Sequence, residues 1–384
     1  MALQLDSLNQ QQLTFGRKLW RINWSLLVLL GATASVGFAM LYSAANASFE
    51  PWASKQIMRF GFGIVMLISV ALVDIRVWMR LAYVIYGVAL VLLIAVDIAG
   101  VIGMGAQRWI ALGPLQLQPS EIMKIALVLA LARYFHSLSI EEVGNPIYLI
   151  APLIMVLLPV YLVVIQPDLG TAVLILLGSG AIFFVAGVRI WKFIVVTGAG
   201  IAAIPVGWQF LREYQKNRVL TFLNPERDPL GAGYHILQSK IALGSGGVVG
   251  KGFLQGTQSH LSFLPERQTD FIFTMLAEEL GMVGGLILLG LYTLLLVYGY
   301  AMSLGSRSQF GRLLGMGVTT TFFLYVFINI AMVMGLIPVV GVPLPLISYG
   351  GTAMLSILFA FGLLMCVHVH RDVRIGRRGL DNEG

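Results

Sequence analysis

The sequence predicts an all-α polytopic membrane protein with about ten transmembrane helices and one long extracytoplasmic loop between helices 7 and 8. Of its 384 residues, 58% are hydrophobic and only 11% are charged, whereas an ordinary soluble domain has roughly 25% charged residues. The apolar residues are collected into runs of about 20, the length that crosses the hydrocarbon core of a bilayer as a helix. Together these observations exclude a soluble globular protein.

The ten predicted helices cover roughly 24–44, 57–74, 78–97, 119–135, 147–165, 169–187, 191–211, 270–300, 313–335 and 350–369. The first run is long enough to span and is followed by further spans, so it predicts a membrane helix rather than a cleavable signal. Residues 1–370 are predicted to form a single ten-helix domain that includes the long loop at 212–269. Residues 371–384 are predicted to form a disordered cytoplasmic tail. The lone Cys366 excludes an intramolecular disulfide.

Basic residues in the short loops and tails predict the orientation. One side carries fourteen of them, whereas the short loops of the other side carry only Lys55, Arg59 and Arg108. Because cytoplasmic segments are enriched in Lys and Arg, both termini are predicted to be cytoplasmic, and the long loop lies outside. The formal net charge of +7 then reflects this bias and contact with anionic lipid. No nucleic acid partner is expected.

The segment LPERQTDFIF at 264–273 places charged groups where the long loop meets the eighth helix. Ionisable groups at membrane depth are costly and mark functional sites, so Asp270 is the first candidate for a catalytic residue. Glu278 lies eight residues further on and shares a helix face with Asp270 at a 3.6-residue period. We expect it to point into the same cavity as a supporting group. Since ATP and nucleotide sugars are cytoplasmic, an outer site needs a substrate that arrives already activated.

A second polar group opens the fourth helix, in the segment QPSEIMK at 118–124. Pro119 suits a helix start because its missing amide would have no partner there. Glu121 and Lys124 are three residues apart and can pair on one face. Two interpretations stay open. The pair is either a structural ion pair that closes the bundle, or part of a face lining the cavity of Asp270, with Lys124 binding a phosphate as a point charge.

Basic residues of the outer segments, Arg108, Arg218 and Lys251, are the candidate contacts to an anionic substrate. Lys251 lies in the glycine-rich run GSGGVVGKG at 244–252. That run is one residue short of a nucleotide-binding P-loop and has glycine where such a loop needs Ser or Thr. It is therefore either a flexible loop that uses glycine for turns or a basic cover over the substrate.

Two breaks between helices also face outward. Asp168, in QPDLGT at 166–171, is expected to cap the helix that follows. The prolines and glycines of GVPLPLISYGGT at 341–352 predict irregular backbone, which is tolerated at membrane depth only under protein or in a wet cavity. Ser348 in this segment can either donate to a substrate or satisfy the local backbone.

Several of these segments together resemble the SEDS family (shape, elongation, division and sporulation) of polytopic peptidoglycan glycosyltransferases. The matching motifs are AQRWI at 106–110, PSE with Lys124 at 119–124, QPDLG at 166–170, GYH and QS at 233–239, GSGG and GKG at 244–252, LPE and TDF at 264–271, and GVPLP and SYGG at 341–351. They run from the third span to the last. NPERDP at 224–229 and HVHR at 368–371 resemble the elongation type more than the division type.

The resemblance implies a polymerase that joins lipid II, a lipid-linked disaccharide-pentapeptide, into a growing glycan strand for cell elongation and rod shape. The reaction would take place at the outer face of the bacterial cytoplasmic (inner) membrane. The resemblance also implies that Asp270 is required and that Glu121 and Lys124 take part. The implied partners are a class B penicillin-binding protein, which is a transpeptidase, and other membrane proteins of the elongation complex. The sequence lacks the S-x-x-K, S-D-N and K-T-G set of a transpeptidase itself.

Two chemical roles for Asp270 stay open. As a general base it would take the proton of the acceptor hydroxyl. Alternatively, it would hold a divalent cation, Mg²⁺ or Mn²⁺, that stabilises the diphosphate; no other cofactor is indicated. Two other functions also stay open. A lipid II flippase or transporter would suit broken spans and a midplane ion pair, and a non-catalytic organiser of a cell-wall synthesis complex would need no reactive carboxylate. The resemblance favours the enzyme.

Overall fold

The computed structural model describes residues 14–103, 106–112, 115–210, 213–224, 232–260 and 266–376. In chain order its helices are α1 (Phe15–Trp20), α2 (Trp24–Ala44), α3 (Ala53–Leu72), α4 (Ile75–Ala99), α5 (Pro119–Ser137), α6 (Ile140–Gly144), α7 (Ile147–Ile165), α8 (Leu169–Val185), α9 (Ile190–Phe210), α10 (Glu213–Leu223), α11 (Ala232–Ser245), α12 (Thr257–His260), α13 (Ile272–Leu304), α14 (Gln309–Val333) and α15 (Gly351–Val369). Each predicted span corresponds to one long helix of this series.

The predicted all-α membrane architecture is confirmed. Eight helices of the described chain are long and apolar enough to cross a membrane, and Leu169–Val185 is a shorter apolar helix. Helix α5 is the tenth; it carries Glu121 and Lys124, which lower its mean hydropathy. Pro119 is its first residue, as its missing amide predicts.

Helices α5, α14 and α15 form the centre of the bundle. In the apolar stretches of α14 and α15, 61% and 72% of the residues are buried, against 22% in α4. Most residues of α5 are buried as well, although this helix is the most polar of the spans. Its charged groups can lie in the interior only because they are paired, as described below. At the other extreme, none of the apolar stretch of α9 is buried, so this helix lies at the periphery of the bundle.

The connections that the sequence predicts to lie outside contain more regular structure than expected. The connection between the third and fourth predicted spans contains three short strands, β1 (Val101–Gly103), β2 (Ala106–Leu112) and β3 (Leu115–Leu117). They pair antiparallel in the order β1-β2-β3. The predicted long loop, 212–269, contains α10, α11 and α12. Helix α11 is anchored by Ser239, whose Oγ lies 2.8 Å from Thr274 Oγ1 and donates to Val333 O. Periodicity over such short amphipathic segments is too weak to distinguish them from loops.

The start of the predicted disordered tail is packed against the bundle. Asp372 Oδ2 lies 2.9 Å from Arg21 Nη1, and Arg371 O accepts a hydrogen bond from Arg307 N. His136 Nε2 lies 3.1 Å from Gly376 O. Residues 371–376 are therefore held by contacts that a polar composition alone does not reveal, and 377–384 lie outside the described residues.

Candidate functional site

Asp270 lies on a turn, not on the helix that the sequence predicts to begin there. The turn covers 266–271, with Thr269 N and Phe271 N both donating to Glu266 O, and α13 begins at Ile272. Glu266 has a positive φ of 56°, which tightens the turn. Asp270 on this turn is partly exposed, whereas the residues that follow it, 271–279, are buried.

The predicted irregular segment 341–350 holds this turn in place. Ser348 Oγ donates to Thr269 O at 2.6 Å and accepts from Leu344 N at 2.7 Å. Tyr349 N donates to Gln268 O at 2.8 Å. The hydroxyl of Ser348 therefore satisfies backbone groups on both sides, which favours the second of the two roles predicted for it. It supports Asp270 through the backbone of its neighbour.

Asn329, on α14, is a site residue that sequence reasoning missed. Its Nδ2 donates to Asp270 O at 3.0 Å and to Val342 O at 2.7 Å, and the residue is fully buried. Beside it, Gly341 has a φ of 70°, and a Cβ there would lie 3.4 Å from Asp270 Oδ2. Asn329 was detectable as an amide inside an apolar span, because such a group is costly unless it has a structural or functional partner.

Arg267 lies on the same turn, three residues before Asp270. Burial lowers the pKa of its guanidinium from the ordinary value. That value is so high that Arg267 remains cationic at neutral pH. The turn therefore carries a fixed positive charge together with the Asp270 carboxylate.

Glu121 and Lys124 form the predicted ion pair, with Lys124 Nζ 2.7 Å from Glu121 Oε1 and both side chains buried. Two residues that the sequence did not single out complete the group. Tyr325 donates to Glu121 Oε2 at 2.6 Å, and Ser356 donates to the same oxygen at 3.0 Å. Lys124 Nζ also donates to the Tyr325 hydroxyl. The carboxylate thus has three donors, as a buried charge requires.

A small cavity of about 30 Å³ lies beside this group, between α5, α14 and α15, enough for one or two water molecules. Glu121, Lys124, Tyr325 and Ser356 line it together with Thr321 and apolar side chains, but Asp270 does not. The two polar sites are instead connected through α14, because Tyr325 and Asn329 lie one helical turn apart. The contacts of the ion pair therefore match the structural interpretation, and a phosphate contact for Lys124 stays a prediction.

Glu278 and Lys251 are brought together, although the sequence placed them in different roles. Lys251 Nζ lies 2.7 Å from Glu278 Oε1, which also accepts from Thr257 Oγ1 at 3.1 Å and from Gln258 N at 2.9 Å. Glu278 is fully buried. The pair attaches the segment after the glycine-rich run to α13. The predicted face shared by Asp270 and Glu278 required both residues to lie on one helix, but Asp270 precedes the first residue of α13. That the two residues line one cavity stays a prediction.

The glycine-rich run is packed on α13 rather than forming a free loop. Gly247 O and Val248 O accept from Met282 N and Val283 N, both at 3.0 Å. At Gly281 the helix has φ 67° and ψ −164°, and a Cβ there would lie 2.3 Å from Gly250 N. Glycine is needed on both sides of this contact because the two backbones touch.

The remaining candidates lie apart. Arg108 Nε donates to Gln166 O at 3.1 Å, its Nη2 donates to Pro167 O, and its Nη1 lies 3.9 Å from Asp168 Oδ2. Asp168 caps α8 as predicted, accepting from Thr171 N at 3.2 Å. Arg108 therefore holds the break before α8. Arg218 lies within α10, and its side chain is outside the described residues.

The family model named for FtsW, RodA and SpoVE, with the description "Cell cycle protein", matches residues 17–373, nearly the whole chain. The chain belongs to this family. The predicted resemblance to the SEDS family is therefore confirmed.

Several curated members of the FtsW/RodA/SpoVE family are similar over most of their length. The chain is 50% identical to peptidoglycan glycosyltransferase MrdB of Escherichia coli strain K12 over 283 residues, which is 72% of this chain and 75% of MrdB. It is 32% identical to peptidoglycan glycosyltransferase RodA of Treponema pallidum, covering 70% of this chain and 78% of RodA. It is 37% identical to stage V sporulation protein E of Bacillus subtilis, covering 70% and 73%.

Solved structures agree with the fold. A chain from "Structural coordination of polymerization and crosslinking by a peptidoglycan synthase complex" is 34% identical, with a TM-score of 0.78 over 91% of this chain and 98% of that one. The rod shape determining protein RodA of Thermus thermophilus is 30% identical, with a TM-score of 0.69 over 91% and 97%. Likeness at this identity and coverage supports the same helical architecture throughout.

Proposed function

We propose that this FtsW/RodA/SpoVE protein is a peptidoglycan glycosyltransferase of the elongation type, which joins lipid II disaccharides into glycan strands. The observation that carries the proposal is the 50% identity with MrdB, a peptidoglycan glycosyltransferase, over 75% of that protein. The Asp270 turn supports the proposal from the chemical side. It offers a carboxylate next to the irregular segment 341–350, on a turn held by Ser348 and Asn329.

The reaction would take place at the outer face of the bacterial cytoplasmic membrane, with both termini inside. The distribution of Lys and Arg supports this orientation. A lipid-linked donor brings its own leaving group, a diphosphate, so the outer site needs no nucleotide. Bond formation to the acceptor hydroxyl breaks the bond between the sugar and the diphosphate, which leaves with the bonding electrons.

Asp270 acts in this proposal as the general base that takes the proton of the acceptor hydroxyl. A positioned base contributes about 10²–10⁴-fold to the rate. Position matters as much as basicity, because the carboxylate must lie within hydrogen-bonding distance of the hydroxyl. Its turn is anchored to α14 by Asn329 and to the 341–350 segment by Ser348. The Glu121–Lys124 group would also hold α14 in place, through the hydrogen bond from Tyr325 to Glu121.

Asp270 can also be considered as the ligand of a divalent cation. In the described residues, no three His, Cys, Asp or Glu side chains gather so that they could hold a metal ion. Mg²⁺ is commonly bound by one or two carboxylates with substrate phosphates and water. A cation at Asp270 would therefore take its other ligands mainly from the donor's diphosphate, where it would stabilise the leaving charge.

The proposed partners are lipid II, the growing strand, a class B penicillin-binding protein that crosslinks the product, and other membrane proteins of the elongation complex. The likeness to a chain of a peptidoglycan synthase complex supports an assembly of polymerase and transpeptidase. The polymerase itself contributes the glycan bond, and crosslinking belongs to the partner.

The test is polymerisation of lipid II by the purified protein with its transpeptidase partner, read as glycan strands on a gel in detergent. Asp270→Asn should lower the rate of polymerisation at least about 100-fold. The control is Asp97→Asn, which changes an exposed aspartate at the end of α4 and should leave the rate unchanged. Normal strand synthesis by Asp270→Asn would contradict the proposed role. Detergent removes transport, so strand formation by the native protein excludes a flippase as its only activity.

A second experiment distinguishes the general-base role of Asp270 from the cation-binding role. If Asp270 holds a cation, chelation should abolish the activity of the native protein, and Mg²⁺ or Mn²⁺ should restore it. Unchanged activity under chelation leaves the general base as the role of Asp270. If the protein is instead a non-catalytic organiser of the complex, cells that carry Asp270→Ala should keep their rod shape.

A further inference from the structure

The surroundings of helix α13 change abruptly at Gly281. Before this residue, 272–279 are all buried in the protein. After it, the helix exposes a row of apolar side chains that begins with Met282 and Val283 and continues through Leu286. A large exposed apolar surface on a membrane protein faces lipid or a partner. The break at Gly281 therefore marks the depth at which α13 leaves the protein interior and reaches the membrane-facing surface.

The length of α13 agrees with this depth. Its 33 residues exceed the roughly 20 that cross the hydrocarbon core of a bilayer. The part after the break, 282–304, is long enough to cross by itself. The part before the break then lies outside the hydrocarbon core, on the side of the Asp270 turn. Gly281 is accordingly placed near the boundary between headgroups and hydrocarbon in one leaflet.

The glycine-rich run reaches the same depth. Gly247 O and Val248 O accept hydrogen bonds from the two amides that follow the break, Met282 N and Val283 N. Residues 246–249 form a turn, and both of its valines are largely exposed: Val248 is 59% exposed and Val249 is 78% exposed. Because the two backbones are hydrogen-bonded, the valines lie beside the first exposed apolar residues of α13.

Helix α11, which leads into this turn, continues the apolar surface. One side of it is packed on the bundle, where Ser239 bonds Thr274 and Val333 O. On its exposed side, Leu237 and Ile241 lie one turn apart. A helix with an exposed apolar strip suits the interface between headgroups and hydrocarbon. Lys240 is also exposed, and a lysine at this interface extends its amine towards the headgroups.

We infer that Val248 and Val249 insert into the leaflet on the side of the Asp270 turn, which is the outer leaflet in the proposed orientation. The occupant of this apolar surface is the hydrocarbon of the membrane lipids, since the surface continues the exposed side of α13. Insertion holds the segment that follows the turn, 250–258, against α13, where Lys251 bonds Glu278. The glycine-rich run then acts as a membrane anchor, rather than as a flexible loop or a cover over the substrate.

A fluorescent probe at position 249 tests the insertion in the full-length protein, reconstituted in nanodiscs. The only native cysteine, Cys366, is buried, so bimane attached to Val249→Cys reports on that position. The quenchers are lipids that carry a nitroxide at a shallow position of the acyl chain, and iodide in the water. Leu286→Cys, on the exposed side of α13, is the reference for lipid, and Gln255→Cys, exposed after the turn, is the reference for water.

The nitroxide lipids should quench the probe at 249 several-fold more strongly than the probe at 255, and about as strongly as the probe at 286. Iodide should show the reverse order. A probe at 249 that iodide quenches as it does at 255, and that the lipids leave bright, would overturn the insertion. Shielding from both quenchers, with or without the proposed transpeptidase partner, would place a protein on this surface and overturn it as well.

Amide hydrogen exchange tests the anchoring. The double substitution Val248→Ser with Val249→Ser should accelerate exchange in residues 250–258 in nanodiscs, because less apolar burial makes local opening less costly. The matched control is Val91→Ser, which removes an exposed valine from α4 and should leave this exchange unchanged. Native exchange rates in the double variant would contradict the anchoring. Neither experiment reads polymerisation, so both outcomes are independent of the proposed function.

Discussion

The phenolic hydroxyl of Tyr325 donates a hydrogen bond of 2.6 Å to Glu121 Oε2, joining α14 to α5 in the centre of the bundle. The same hydroxyl accepts from Lys124 Nζ. Tyr325 is therefore part of the buried ion pair, and one helical turn further on Asn329 holds the backbone of Asp270. The interior charge group and the candidate catalytic turn are therefore both bonded to α14.

Tyr325→Phe should destabilise the protein and reduce its activity. The variant keeps the ring but leaves Glu121 with one donor fewer, at a cost of about 1–2 kcal/mol in the free energy of unfolding. Thermal unfolding in detergent and strand synthesis would measure the two effects. Tyr298→Phe, on the partly buried Tyr298 of α13, is the control. Equal behaviour of the two variants would show that the Tyr325 hydroxyl has no role in the ion pair.

Ser348→Ala should lower kcat more than it changes KM. The hydroxyl bonds Thr269 O and Leu344 N, so its loss loosens the Asp270 turn without removing a group that touches the substrate. We expect a drop in kcat of roughly tenfold from misplacement of the base. The control is Ser69→Ala, whose exposed hydroxyl bonds only its own helix, at Val65 O. A rise in KM with normal kcat would instead indicate direct substrate binding by Ser348.

Gly281→Ala should be strongly destabilising. The position has a φ of 67°, and a Cβ there would lie 2.3 Å from Gly250 N. Strain of this kind costs about 1–3 kcal/mol, and separation of the two backbones adds to it. Gly290→Ala, in the same helix with nothing within 4 Å of an added Cβ, should be neutral or stabilising. If both variants unfolded at the native temperature, the packing of the glycine-rich run on α13 would be contradicted.

Lys251→Met should free the segment that follows the glycine-rich run while the bundle stays folded. It removes the ion pair between Lys251 and the buried Glu278 carboxylate. Amide hydrogen exchange should therefore accelerate in residues 250–258, because local opening becomes less costly. Lys216→Met breaks a pair with the largely exposed Glu213 and should change little. A raised KM with unchanged exchange would mean that Lys251 contacts the substrate directly, as the sequence suggested.

Hydrophobic patterning determined the architecture in advance. Runs of about 20 apolar residues have few alternatives to a spanning helix, because unpaired backbone groups are too costly in lipid. Local chemistry was equally predictable where it acts over one turn. The Glu121–Lys124 pair and the Asp168 cap both depend on residues three positions apart. The importance of Asp270 came from the cost of its charge, and the expectation of a polymerase came from motif resemblance.

Tertiary structure decided which distant groups meet. Tyr325 and Ser356 reach Glu121 across more than half of the chain, Lys251 turns to Glu278, and Ser348 binds the turn of Asp270. Helical periodicity places residues on a face but does not specify the neighbour that this face packs against. Projection from Asp270 to Glu278 assumed a continuous helix, whereas the backbone at 266–271 is a turn. The sequence by itself thus determined the membrane bundle and its costly charges, and only the packing of helices and loops decided their partners.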